Sequence, residues 1–159
     1  MPTTSRIDEL RKEVAALAQA AASAKDLMNG MCHLLHERML KYNWVGFYML
    51  EPGARPPMLV LDAFIGAMTP HTRIPLNQGI CGAAASSGKT IVVDDVSKDP
   101  RYLACSLETK SEIVVPVFVN EKVAGELDID SHFPAAFAAE DQALIQYCAE
   151  VVGKKLEKQ

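Results

Sequence analysis

The segment 111–131, SEIVVPVFVNEKVAGELDIDS, constrains the fold more than any other part of the chain. Its first half places Ile113, Val115, Val117 and Val119 on one side, and its second half places Val123, Gly125, Leu127 and Ile129 on one side. Alternation of this kind marks a strand with one buried face. A slip of one residue in the pairing would turn one apolar set to the wrong side. The two sets coincide when Val119 faces Val123 across a three-residue loop of Asn120, Glu121 and Lys122. The same register sets Glu112 opposite Asp130 and Val114 opposite Asp128. Glu112, Glu126, Asp128 and Asp130 are thereby expected on one face of one hairpin.

A solvated face is ordinary for an antiparallel sheet, but Val114, Pro116 and Phe118 share this face with the carboxylates. Clustered carboxylates repel unless a cation sits among them or one of them stays protonated. Both remedies describe a binding site. One is a ligand carrying an ammonium group. The other is a carboxylic acid able to donate a proton near neutral pH.

The rest of the chain supplies a frame for that hairpin. A length of 159 residues with 49% hydrophobic content predicts one domain spanning 1–159. Residues 1–41 read as helical, with Ile7, Leu10, Val14, Leu17 and Ala21 at helical spacing, then Leu27, Met28, Met31, Leu34, Leu35 and Met39. A break is expected near Ser23 or Gly30, and Ser5 with Asp8 resembles an N-cap. Residues 43–50 and 58–65 read as a hairpin around a proline-rich turn, 66–75 as a loop, and 90–94 as a short strand. Residues 83–87 can begin a short helix after Gly79, Cys81 and Gly82, and 139–158 read as a terminal helix. Hairpins dominate this order, so the class is α+β: a mainly antiparallel sheet covered by helices.

A net charge of −4 without a basic block argues against nucleic acid as a partner. No apolar run approaches the roughly 20 residues of a membrane span, and the polar N-terminus lacks a leader core. A cytoplasmic protein with reduced thiols is expected. The cysteines are Cys32, Cys81, Cys105 and Cys148. None forms a CxxC pair, and Cys32 with His36 has no third partner, so no metal site is expected. Cys148 falls in the apolar stripe of the terminal helix and reads as a core thiol. Cys105 lies in the loop 95–106 near Arg101, which favours a thiolate, and Cys81 sits where a helix N-terminus can lower a thiol pKa. Two such thiols could form a transient disulfide. Trp44 and Tyr48 share strand parity and can form one aromatic wall.

Together NWVGFY, RIP followed by GICG, the Ala104–Cys105 pair, SEIVVP and GELDIDS, in this order, resemble the free methionine-R-sulfoxide reductases. These are single-domain proteins of the GAF fold, and the resemblance covers residues 43–131. It implies a six-stranded, mainly antiparallel sheet with helices on both faces, in a homodimer. It implies Cys105 as the catalytic cysteine and Cys81 as the second cysteine. Glu112, Asp128 and Asp130 would hold the substrate's polar groups, and Trp44, with Tyr48 beside it, would pack against the substrate methyl. No bound cofactor is implied, and thioredoxin or a similar dithiol would be the external reductant. Three positions depart from the family. His71 stands where the resolving cysteine is usual, Ser106 follows Cys105 where Asp is frequent, and Glu126 occupies a usually apolar position. The competing expectation is a stand-alone GAF sensor that binds a small ligand or responds to oxidant without turnover.

Overall fold

The computed structural model describes residues 3–104 and 106–159. Helices α1 (Thr3–Ala20) and α2 (Ala24–Arg38) come first. Strands β1 (Trp44–Leu50), β2 (Met58–Ile65) and β3 (Arg73–Pro75) follow, then helix α3 (Gly79–Ser87) and strand β4 (Ile91–Val93). Strands β5 (Ser111–Val119) and β6 (Lys122–Ser131) and the terminal helix α4 (Ala139–Glu157) complete the chain. The sheet has six strands in the order β3-β2-β1-β6-β5-β4. Every neighbouring pair is antiparallel. This is the expected α+β architecture, with one addition: Arg73–Pro75, read from sequence as loop, pairs with β2 as an edge strand.

The break between the first helices falls at Ser23, whose hydroxyl accepts from the Asp26 N–H at 3.1 Å. Ser5 starts nothing, because α1 already begins at Thr3. Arg38 grips Glu13 with both terminal nitrogens, at 2.7 and 2.6 Å, and so ties α2 to α1. Lys155 of α4 donates to the carbonyls of Ala18 and Ala21 at the end of α1. There it satisfies acceptors that the helix leaves unpaired.

The body of the β5–β6 hairpin keeps the expected register, with Glu112 opposite Asp130, Val114 opposite Asp128 and Val117 opposite Gly125. Its tip does not. Phe118 faces Val123 and Val119 faces Lys122, and the shift is absorbed by an irregularity after Val117. The turn is therefore a two-residue one, Asn120-Glu121, with φ of 50° and 68°. Such turns twist in the sense that paired strands require, and a bulge lets the tip change pairing while the body keeps its faces.

Ile113, Val115, Val117, Leu127 and Ile129 are buried with Val45, Phe47 and the inward residues of α1, α2 and α4. The opposite face, near α3, has a smaller cluster including Trp44, Tyr48, Leu59, Ile74, Ile80, Cys81 and Val114. Helices thus cover both faces, and the acidic residues belong to the α3 side.

Helix α4 crosses β5 most closely at Gly153. A Cβ there would lie 2.3 Å from the Phe118 carbonyl oxygen. Exposed helical Gly→Ala changes gain about 1 kcal/mol in propensity, but backbone overlap reverses the sign here. Gly153→Ala is expected to destabilise the fold by about 1–3 kcal/mol, in the range of overpacked cores. Urea denaturation measures this, and a gain in stability would show that α4 rides higher on the sheet.

Candidate active site

Strand β6 lies between β1 and β5, so its α3-facing side chains lie at the centre of the sheet. Asp130 faces Trp44 and Asp128 faces Gly46 on β1, while Glu126 faces Tyr48. On the other side, Asp130 faces Glu112 and Asp128 faces Val114 on β5. Alternation does the rest: Glu112, Glu126, Asp128 and Asp130 emerge on one face, and all four are buried.

Helix α3 closes this face from above. Its third residue, Cys81, donates its thiol proton to Asp128 Oδ2 at 3.4 Å. Cys81 Sγ and carboxylate oxygens of Glu112 and Asp128 all lie within 4.8 Å of one another. Gly82 allows the approach of helix and loop, since a Cβ there would stand 2.8 Å from the Leu76 carbonyl oxygen. A cavity of about 20 Å³ opens among Tyr48, His71, Cys81, Glu112 and Asp128. A second, of about 90 Å³, lies beside Trp44, Thr69, Ser106 and Asp130.

Trp44 and Tyr48 do form the expected wall, with ring centroids 6.2 Å apart and planes 28° from parallel. Phe64 stacks on the other side of Trp44 at 5.7 Å. The indole lies so close to β1 that a Cβ on Gly46 would come within 2.4 Å of it. Gly66, at φ +129°, leaves only 2.7 Å on its side. The indole N–H donates to the Ala67 carbonyl at 3.0 Å, which fixes the ring's orientation. Sequence reasoning missed Phe64 and both glycines. The signal was available in Gly46, because a glycine inside a strand marks a close approach.

His71 ties the surrounding loops together. Its carbonyl accepts from the Tyr48 hydroxyl at 2.6 Å. Its Nε2 meets the Ala104 carbonyl at 3.2 Å, immediately before Cys105. Cys105 itself lies outside the described residues. Arg101, read as a partner for that thiol, forms an ion pair with Asp99 at 2.7 Å.

The electrostatics correct one expectation. Placement in the first turn of α3 ought to favour the Cys81 thiolate. Instead burial, then the charges of Asp128, Glu126 and Glu112, push its pKa well above 9.0. Burial likewise raises Glu112 well above 4.5, with Asp128 and Asp130 adding to the shift. Burial raises Asp128 against the opposing contacts of Glu112 and Cys81. Burial therefore biases Glu112 and Asp128 towards the protonated form, which can donate a hydrogen bond. Cys32 and Cys148, pushed to about 12 by burial, are inert core thiols. Cys32 donates to the Ala63 carbonyl, so the pairing with His36 is not a metal edge.

Glu126 is the least satisfied member. It is fully buried, and neither of its oxygens has a hydrogen-bond partner among the described residues. The single thiol proton of Cys81 is directed at Asp128. Burial first, and Asp128 next, raise Glu126 well above its usual 4.5. The folded chain thus keeps a proton that the unfolded chain releases near that value. The stability it contributes is present at low pH and is lost as pH rises through the folded pKa. Glu126→Met, similar in volume, is expected to raise stability at neutral pH by about 1–3 kcal/mol, the cost of an unpaired buried polar group. It should also flatten the decline of stability with rising pH. Denaturant titrations of both chains across that range test this, and parallel profiles would show that Glu126 is not the titrating group.

Residues 11–156 match the GAF domain family. The free methionine-R-sulfoxide reductase of Escherichia coli is 34% identical over 152 residues, covering 95% of this chain and 89% of that protein. The type II free methionine-R-sulfoxide reductase from Thermoplasma acidophilum superposes with a TM-score of 0.79 at 39% identity, over 89% of this chain and 96% of its own. The Neisseria meningitidis reductase, solved in complex with its substrate, superposes with a TM-score of 0.90 at 31% identity, over 99% of this chain and 93% of its own. This chain belongs to the GAF domain family, and its likeness within that family is to the free methionine-R-sulfoxide reductases.

Proposed function

We propose that this chain reduces free methionine-R-sulfoxide to methionine. The observation that carries the reading is the buried acidic face of Glu112, Asp128 and Asp130, set beside an aromatic wall and a thiol. A free amino acid brings an ammonium with three donors, and the carboxylates of Asp128 and Asp130 can receive it. A methionine within a peptide lacks that group. The Trp44 and Tyr48 rings offer an apolar surface to the S-methyl end.

The chemistry follows from the groups present. The Cys105 thiolate attacks the sulfoxide sulfur while a protonated carboxyl, Glu112 in this reading, donates to the sulfoxide oxygen. Methionine leaves, its sulfur reduced by two electrons. Cys105 is oxidised by two, to a sulfenic acid. Cys81 then attacks that sulfur and water leaves, giving a Cys81–Cys105 disulfide. An external dithiol of the thioredoxin type restores both thiols. Cys81 takes this role because His71 occupies the position of the family's usual resolving cysteine. With its pKa raised, Cys81 must give up its proton as it attacks, and Asp128, which already accepts its hydrogen bond, is the base at hand. No resident cofactor enters the cycle. Among the described residues no helix is long and apolar enough to cross a membrane. A reducing cytoplasm and a homodimeric assembly complete the proposal.

A thioredoxin-coupled assay on separated sulfoxide epimers tests it. The R epimer of the free amino acid should be consumed, and the S epimer and an N-acetylated, amidated R substrate should not. Cys105→Ser should abolish turnover. Glu112→Gln should lower kcat/KM by about 10²–10⁴, the usual contribution of a general acid. If the R epimer is turned over no faster than by Cys105→Ser, the reductase reading fails. Binding without turnover would mark a ligand sensor instead.

A further inference from the structure

In the proposed reaction Glu112, Asp128 and Asp130 take up the substrate's polar groups, and Glu126 is left unused. Yet it is buried without a hydrogen-bond partner, on the same sheet face as Asp128 and beside Cys81, the two residues that perturb it. A thiol and three buried carboxyls therefore converge where the reductase cycle needs only part of them.

The geometry resembles a coordination shell. Cys81 Sγ and oxygens of Glu112 and Asp128 lie within 4.8 Å of one another. Cys81 Sγ and Asp128 Oδ2 are 3.4 Å apart. A tetrahedral zinc with sulfur at about 2.3 Å and oxygen at about 2.0 Å separates two such ligands by about 3.5 Å. The cavity between them measures about 20 Å³. Roughly 10–15 Å³ on this measure admits a single water, so this space suits one atom or ion. A mixed sulfur and oxygen donor set, with sulfur among the ligands, favours zinc-class ions over magnesium or calcium.

We propose that the reduced, substrate-free chain binds one zinc-class divalent cation through Cys81, Glu112 and Asp128, with Glu126 as the supporting carboxyl beside the thiol. Binding replaces the S–H bond of Cys81 by a metal–sulfur bond and any O–H bond of Glu112 or Asp128 by a metal–oxygen bond, and releases these protons to solvent with no change of oxidation state. The ion occupies the acidic face and engages the second thiol, so it excludes the substrate ammonium and blocks disulfide formation. That competitive consequence rests on the reductase reading, and the metal site itself does not.

The test uses the full-length chain, reduced and stripped with a chelator. Calorimetry with zinc chloride should give one equivalent per chain. Cadmium chloride should give the near-ultraviolet absorption of a thiolate-bound metal. The band should persist in Cys105→Ser and vanish in Cys81→Ser, with zinc affinity falling by more than roughly 100-fold. Glu126→Met should weaken zinc by about 10–100-fold, the usual loss for an outer-shell partner. Because that variant is expected to be the more stable fold, weakening cannot be put down to unfolding. Methionine-R-sulfoxide should discharge the cadmium band. Absence of binding, or a band that survives Cys81→Ser, overturns the proposal. Turnover indifferent to saturating zinc overturns the competition between ion and substrate while leaving the reductase intact. A Cys81-dependent band on a chain that reduces no sulfoxide keeps the metal site and removes the reductase.

Discussion

The pairing of β5 with β6 decides what lies on either side of the sheet. In one register, five aliphatic side chains of the hairpin enter the core under α1, α2 and α4, and the acidic residues gather under α3. Slip it by one residue and one strand would turn over, sending its carboxyls into the main core and its aliphatics towards α3. Neither layer tolerates that exchange. A site made of buried charge is thus held in place by the hydrophobic effect on the opposite face, which is why so many carboxyls persist without facing water. The irregularity after Val117 serves the same end. It lets the tip close through a tight Asn120-Glu121 turn without disturbing the pairing of Glu112 with Asp130.

Burial then sets the chemistry. In water, four carboxylates would be ionised, and Cys81 in the first turn of a helix would lean towards thiolate. Under α3, desolvation outweighs both tendencies. The result is a face whose carboxyls are biased towards holding a proton that a ligand oxygen could accept. The cost falls on Cys81, which is less nucleophilic at rest and depends on its carboxylate neighbours to be activated.

Much of this was legible in the sequence because period-two alternation is a strong signal. The pairing of Glu112 with Asp130 followed from Ile113 and Ile129 alone, and the Trp44–Tyr48 wall followed from parity. What escaped was whatever depends on partners distant in the chain. Arg73–Pro75 is too short to alternate, and it becomes a strand only because β2 offers an edge. The tip of the hairpin was misread because apolar matching favoured Val119 against Val123, while turn geometry favoured two residues over three. The sign of the Cys81 shift was out of reach for the same reason. The helix N-terminus is local, but the carboxylates that oppose it come from strands more than thirty residues away.

The two cavities also constrain how any ligand enters. One has room for a single atom and the other for a few, so an amino acid of ten heavy atoms requires the covering loops to part. The ties that hold them differ in strength. Trp44 and Tyr48 are buried, and their hydrogen bonds to Ala67 and His71 are anchored on the sheet. The contact between His71 Nε2 and the Ala104 carbonyl is exposed. An exposed hydrogen bond exchanges for water at little net cost, about 1 kcal/mol. The His71–Ala104 contact is therefore the tie that is cheapest to release, while the aromatic wall stays anchored. His71, at the position where the family commonly has a resolving cysteine, here ties loops together through the Tyr48 hydroxyl and the Ala104 carbonyl.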